Sequence, residues 1–229
     1  MKTKTAGPSA GGMVRRYRGV DGLAGDQVIS LYEDSANVVW VGTREGLATI
    51  NNDIITKHAQ LGSSGPILSI SADAKDELTI TTANGFALIV ADKAHLFQSA
   101  QGIPARAFLS AVDDQKGHLW LCSNQGIVRL ANQELKEIIA GKRERVTPDF
   151  YGRSDGMATV QCNGGSAPAA WRTRDGRLMF ATARGVAMVD AVKQSKPNLL
   201  PPPVHITSVL VDSESMPLID HVVMRPGKH

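Results

Sequence analysis

Residues 17–51 read YRGVDGLAGDQVISLYEDSANVVWVGTREGLATIN, and the order of residue types in this stretch decides the fold. Asp21-Gly22-Leu23 forms a turn signal, and VISLYED at 28–34 is a short apolar run whose acidic end opens a tight turn. NVVWVGTREGL at 37–47 then has the pattern of a hairpin: an apolar strand, the small Gly42, a polar turn, and Gly46 followed by an apolar residue. With GLATIN and DIITKHA continuing the chain, the unit holds four short strands.

The same hairpin recurs as DELTITTANGF at 76–86, GHLWLCSNQGI at 117–127 and GRLMFATARGV at 176–186. The anchoring glycines, Gly46, Gly85, Gly126 and Gly185, lie 39, 41 and 59 residues apart, the spacing of propeller blades with an insertion before the last. Each hairpin is preceded by a turn (Asp21-Gly22-Leu23, Gly65-Pro66-Ile67, Gly102-Ile103-Pro104, Asp155-Gly156-Met157) and by another strand (28–34, 67–73, 107–114, 168–175). Each of the first three is followed by a fourth strand, the third of these being LKEIIA. A helix over 132–140 (NQELKEIIA) is the rival reading there, and its shortness is against it.

The periodicity predicts an all-β chain: about four four-stranded β-propeller blades, a partial propeller. The expected blades are 14–57, 58–96, 97–147 and 148–197, with a flexible leader at 1–13 and a proline joint and further strand at 198–229. A seven-blade ring at about 40 residues per blade needs roughly 280 residues, so these 229 residues are expected to be a piece of a longer protein. An open ring leaves unpaired β edges, so either a homodimer through those edges or poor solubility is expected.

Composition narrows the function classes. The chain is 42% hydrophobic and 21% charged with net charge +3, and no stretch approaches the roughly 18 uninterrupted apolar residues of a spanning helix. The basic clusters at 15–18 and 142–145 read as solvated loops, so no nucleic-acid partner is expected. No apolar segment follows the lysines of the leader, so no signal peptide is read there. Cys122 and Cys162 match no disulfide framework or metal spacing, and Cys122, at a crowded packing position, reads as an inert buried thiol. The histidines show no zinc pattern, so neither a metal nor a cofactor is expected.

The first unit closely resembles the two-component regulator propeller repeat, with its Asp-Gly-Leu turn, Val-x-x-Ile strand, aspartate and Leu-Trp-Ile-Gly-Thr-x-x-Gly-Leu hairpin. QGIPARAFLSAVDDQKGHLWLCSNQGIVRL repeats the pattern, and the second unit is a degenerate copy with Thr79 and Thr81 in place of Trp and Gly. The fourth looks like the longer terminal repeat of that family, and SKPNLLPPPVHITSVLVDSESMPL resembles the start of the Ig-like Y-Y-Y sandwich that follows such propellers. The resemblance implies a periplasmic sensor region, anchored in the inner membrane and feeding a histidine kinase or diguanylate cyclase. The output machinery of either enzyme has no counterpart in these residues, so no catalytic residue is expected.

Propeller geometry puts the hairpin turns and the loops entering the inner strands on one face, around the central channel. It nominates Arg44, Asn84, Arg106, Asn124 and Arg184 as ligand-binding candidates, with Asp26, Gln27, Gln161 and Asn163 nearby. Arginine forks and amides present paired donors suited to carboxylates, sulfates and sugar hydroxyls; the competing reading is ordinary turn chemistry. Trp40 and Trp120 share a repeat position and read as packing between blades, whereas Trp171 ends an inner strand. Glu45, Asp155 and Asp175 are carboxylates that turn chemistry explains. The expected function is non-catalytic sensing of a small molecule or glycan; the alternatives are a protein-interaction scaffold and, less favoured, a polysaccharide lyase or hydrolase.

Overall fold

The computed structural model describes residues 14–61, 64–104, 106–164, 167–191, 209–211 and 214–216. Met1–Lys193 and Gln194–His229 form separate compact units. Within the first unit the strands fall into four antiparallel sheets that follow one another along the chain. Blade 1 comprises β1 (Val28–Glu33), β2 (Val39–Thr43), β3 (Leu47–Asn51) and β4 (Ile54–His58), and blade 2 comprises β5 (Ile67–Ala72), β6 (Leu78–Thr82), β7 (Gly85–Val90) and β8 (Lys93–Phe97). Blade 3 holds β9 (Phe108–Asp113), β10 (His118–Ser123), β11 (Gly126–Ala131) and β12 (Asp149–Tyr151), with helix α1 (Asn132–Ile139) between its last two strands. Blade 4 shows β13 (Ala170–Arg172), β14 (Leu178–Thr182) and β15 (Gly185–Val189). This is the expected all-β propeller architecture.

Two side-chain devices explain why these sequences make blades. At the turn from the first to the second strand, Asp34, Asp73 and Asp114 each use Oδ1 to accept two backbone amides, those of Ala36 and Val38, Lys75 and Glu77, and Lys116 and His118. At the next turn a hydroxyl donates to the carbonyl of the anchoring glycine: Thr43 to Gly46, Thr82 to Gly85, Ser123 to Gly126 and Thr182 to Gly185. The same oxygens accept the amides of Glu45, Asn84, Gln125 and Arg184, so the turn satisfies its own polar groups.

The core lies between blades. Leu61, Ile67 and Ile80 are buried between blades 1 and 2, Phe86, Phe108 and Leu121 between blades 2 and 3, and Trp120, Ile127 and Phe180 between blades 3 and 4. Phe86 stacks on Phe97 with ring centroids 5.0 Å apart and meets Phe108 edge-on at 6.3 Å. Trp40 and Trp120 are both buried, as the packing reading expects.

Two expectations are corrected. The run containing LKEIIA is not a strand but helix α1, and the fourth strand of blade 3 is β12, paired with β11. Eight residues are too few for a helix to hold by propensity alone; this one buries Leu135, with Ile138 and Ile139 packed on the same cluster. It stops at Gly141, where Lys142 N–H bonds to the Glu137 carbonyl at 2.8 Å and Gly141 N–H to that of Ile138 at 3.0 Å, the Schellman pattern.

Blade 4 shows three strands among the described residues, and the part expected beyond residue 191 lies outside them. Second, Cys122 is not a free thiol: it is disulfide-bonded to Cys162, with the Cα atoms 6.0 Å apart. Cys122 lies in β10, and Cys162 makes a bridge pair with Thr182 of β14, so the bond staples blade 3 to blade 4.

The second unit shows one antiparallel pair, β16 (Val209–Val211) and β17 (Glu214–Met216). The leader at 1–13 and the proline joint at 201–203 lie outside the described residues, as does the expected sandwich start apart from the β16–β17 pair.

Candidate functional site

The first strand of each blade is the inner one, its outer edge hydrogen-bonded to the second strand. Between the inner strands β1, β5, β9 and β13 lies a cleft of about 340 Å³, whose walls include Leu31, Ser69, Ser110, Pro168 and Trp171. A second hollow of about 400 Å³ shares Tyr32, Ile70 and Trp171 with it and adds Asp73, Asp113, Gln115 and Arg172. The two together form a groove along the inner strands, of a size suited to a small organic ligand.

Trp171 is the group in this groove that most needs explaining. Its side chain is 61% exposed although it belongs to a strand, in contrast to Trp40 at 8% and Trp120 at 1%. An exposed indole in a concave wall offers a flat apolar platform for a sugar face or another ring. Opposite kinds of partner surround it: hydroxyls from the inner-strand serines, an arginine at Arg172 and carboxylates at Asp73 and Asp113.

Ser110 Oγ is buried with no hydrogen-bond partner, whereas the corresponding Ser69 Oγ shares a 2.8 Å hydrogen bond with Thr81 Oγ1. Tyr32 directs its hydroxyl at Asp76 Oδ1, 3.5 Å away, and burial, followed by the charge on Asp76, pushes its pKa up, so it stays a neutral donor. Asp113 is engaged: Oδ1 accepts the Gln115 amide at 2.7 Å and Oδ2 the Asn132 side-chain amide at 2.6 Å.

The residues nominated from sequence fall elsewhere. Arg44, Asn84, Asn124 and Arg184 are exposed at the tips of the hairpin turns. The turns do meet the entering loops: Arg44 N–H bonds to the Gln27 carbonyl at 3.0 Å and Ala183 N–H to that of Gln161 at 2.9 Å. None of the five candidates lines the inner-strand groove. Arg184 borders a separate hollow of about 210 Å³ with Tyr151, Asp155 and Met157. Arg106 lies over the Phe150 ring, 5.7 Å from its centroid, and burial lowers its pKa.

The carboxylates are held as turn chemistry predicts. Asp155 accepts the Gly152 amide at 2.9 Å. Asp175, bound by Arg177 and Thr173, has its pKa pulled down to about 2. The serines of the groove were missed in the sequence, although Val28-Ile29-Ser30, Ile67-Leu68-Ser69 and Phe108-Leu109-Ser110 repeat in register at the starts of three inner strands.

Comparison with known proteins agrees with this architecture. The family model described as two component regulator propeller matches residues 22–45, the stretch that holds β1 and β2 of blade 1. Among solved structures the chain resembles the extracellular domain of a protein named as a hybrid two component system from B. thetaiotaomicron, at 19% identity and TM-score 0.64, over 90% of this chain and 28% of that one. It also resembles the extracellular domain of a protein named as a one component system from the same organism, at 16% identity and TM-score 0.58, over 74% of this chain and 24% of that one. At such identities the likeness shows the fold, and the chain spans less than a third of the length of either structure. A search of curated proteins finds no match.

Proposed function

We propose that this chain is the ligand-sensing propeller portion of a membrane-anchored signalling sensor, working outside the cytoplasm by binding rather than turnover. The observation that carries the reading is the groove between the inner strands, with Trp171 exposed in its wall. A glycan or other small polar molecule with one flat apolar face fits it: the face rests on the indole, and its hydroxyls meet Tyr32 and Arg172.

Three further observations support parts of this reading. The two component regulator propeller match in blade 1 supports a place in signal transduction. The Cys122–Cys162 bond suits an oxidising compartment. The turn carboxylates Asp155 and Asp175 are occupied by backbone and arginine partners, which favours binding over acid–base chemistry. No helix among the described residues is long and apolar enough to cross a membrane, so the anchor in this reading belongs to another part of the protein.

Signalling would follow if a ligand bound two arrangements of the sensor with different affinity. The test is a fluorescence screen, since Trp171 is the exposed indole. A bound oligosaccharide should shift its emission saturably and shield it from acrylamide, and a panel that leaves both unchanged refutes the reading.

A second reading, an interaction scaffold, is favoured by blade 4, where Val186 and Met188 are 68% and 54% exposed on β15. Sedimentation that shifts from dimer to monomer on Val186→Lys would support it, and a monomeric wild type would remove it.

A further inference from the structure

Two blades use their turn aspartate in a second way. Trp40 Nε1 donates to Asp34 Oδ2 at 2.7 Å and Trp120 Nε1 to Asp114 Oδ2 at 3.1 Å, an arrangement spanning six residues in each case. Each indole lies between its own blade and the next, Trp40 against Ile70 and Leu78 and Trp120 against Leu178 and Phe180.

Blade 2 keeps the aspartate and loses the indole. Asp73 Oδ1 holds the amides of Lys75 and Glu77 as its counterparts do, but the residue six positions on is Thr79. Thr79 pairs with Ser71 and Leu88, the same place in the ladder that Trp40 takes against Tyr32 and Thr49. Oδ2 of Asp73 receives no donor among the described residues.

Where the third indole would stand there is a hollow of about 320 Å³, between blades 2 and 3, walled by Asp73, Thr79, Leu88, Leu119, Leu135 and Ile139. Leu135 and Ile139 come from α1, the one α-helix among the described residues, so the insertion in blade 3 closes the space left by Thr79. An apolar cavity of about 150 Å³ is enough for benzene, and twice that volume accepts two fused rings.

We propose that this interblade hollow is a binding site for a small flat aromatic molecule with a ring N–H, the indole class. The ring would pack on Leu88, Leu119 and Leu135 while its N–H donates to Asp73 Oδ2, reproducing the contact that Trp40 and Trp120 make internally. The hollow adjoins the Trp171 groove and shares Asp73 and Asp113 with it, whereas its apolar walls at Leu88, Leu119 and Leu135 are its own.

The experiment uses the full chain, with indole itself as probe and indene, the same bicyclic shape without the N–H, as control. Binding is read by saturation-transfer NMR titration and by the melting temperature. Indole should bind saturably and raise the melting temperature, and indene should bind about tenfold more weakly, the loss of one hydrogen bond to a charged acceptor. Thr79→Trp should abolish indole binding and itself raise the melting temperature. Asp73→Asn keeps the turn acceptor but presents an amide where Oδ2 stood, and should weaken indole about tenfold while leaving indene unchanged.

Failure of the wild type to bind indole, binding that survives Thr79→Trp, or equal affinity for indole and indene would each overturn the proposal. If Thr79→Trp does not fold, Asp73→Asn decides: an unchanged indole affinity overturns it.

Discussion

Reducing the Cys122–Cys162 bond should destabilise the first unit by an amount that can be worked from the chain. The two cysteines are 40 residues apart, and closing a loop of that length removes about 13 cal/mol/K of chain entropy from the unfolded state, or about 4 kcal/mol at room temperature. For a unit of this size each kcal/mol moves the melting temperature by roughly 2–4 °C, so reduction should lower it by about 8–16 °C.

The loss should not be uniform. The bond ties β10 of blade 3 to the entry of blade 4, the blade with three strands among the described residues, so blade 4 should lose its exchange protection first. The assay is a circular-dichroism melt with and without reductant, with thiols titrated in denaturant before and after. Reductant is a cleaner perturbation than alanine substitution, because both cysteines are buried and truncation would add a packing loss. Two titratable thiols before reduction, or a melting shift below about 2 °C once both are free, would refute the reasoning.

Two further predictions concern the blade geometry. A Cβ on Gly85, at φ +135°, would meet the Phe97 carbonyl oxygen of β8 at 2.3 Å, whereas one on Gly185, at φ +107°, would meet nothing within 4 Å among the described residues. Gly85→Ala should therefore cost distinctly more stability than Gly185→Ala in chemical denaturation, and equal costs would show that the outer strand does not crowd the turn. His58, stacked on Trp40 with ring centroids 4.9 Å apart, has its pKa lowered mainly by burial, with the charge of Asp92 opposing. The unfolded chain then binds more protons, so stability is full above the unfolded value of about 6.5 and falls as pH drops from there toward the folded value. His58→Gln should flatten that slope in pH-dependent melts, and an unchanged slope would assign it to other groups.

The blade architecture could be read from the chain because local chemistry recurs at fixed offsets. The Asp34, Asp73 and Asp114 turns and the Gly46, Gly85, Gly126 and Gly185 hairpins are short-range devices, and each is stabilised by residues within a few positions of it. Helix α1 was not legible in that way. Its stability comes from Leu135, Ile138 and Ile139 resting on a cluster that includes Phe86 and Phe108, residues distant in sequence.

The disulfide was hidden for a related reason. At the position of Cys122, Gly42 of blade 1 abuts Ile67 at the entry of the next blade, so a residue there faces the following inner-strand entry, where blade 4 carries Cys162. That inference requires knowing how blades face one another, and no pairing by sequence spacing contains it. The candidate site divided likewise. Turn tips such as Arg44 and Asn124 could be placed on a face, whereas the groove is lined by strand residues whose burial depends on packing, and Trp171 stands apart from Trp40 and Trp120 only through its exposure.

The reading that most depends on the structure is that the inner-strand groove binds ligand through Trp171. Calorimetric titration of the full chain with a panel of neutral and sulfated oligosaccharides tests it directly, with Trp171→Ala alongside. Because Trp171 is exposed, the variant should melt within about 1–2 °C of the wild type while at least one saturable binding isotherm disappears. A panel without any binder, or an isotherm that Trp171→Ala leaves intact, would contradict the account.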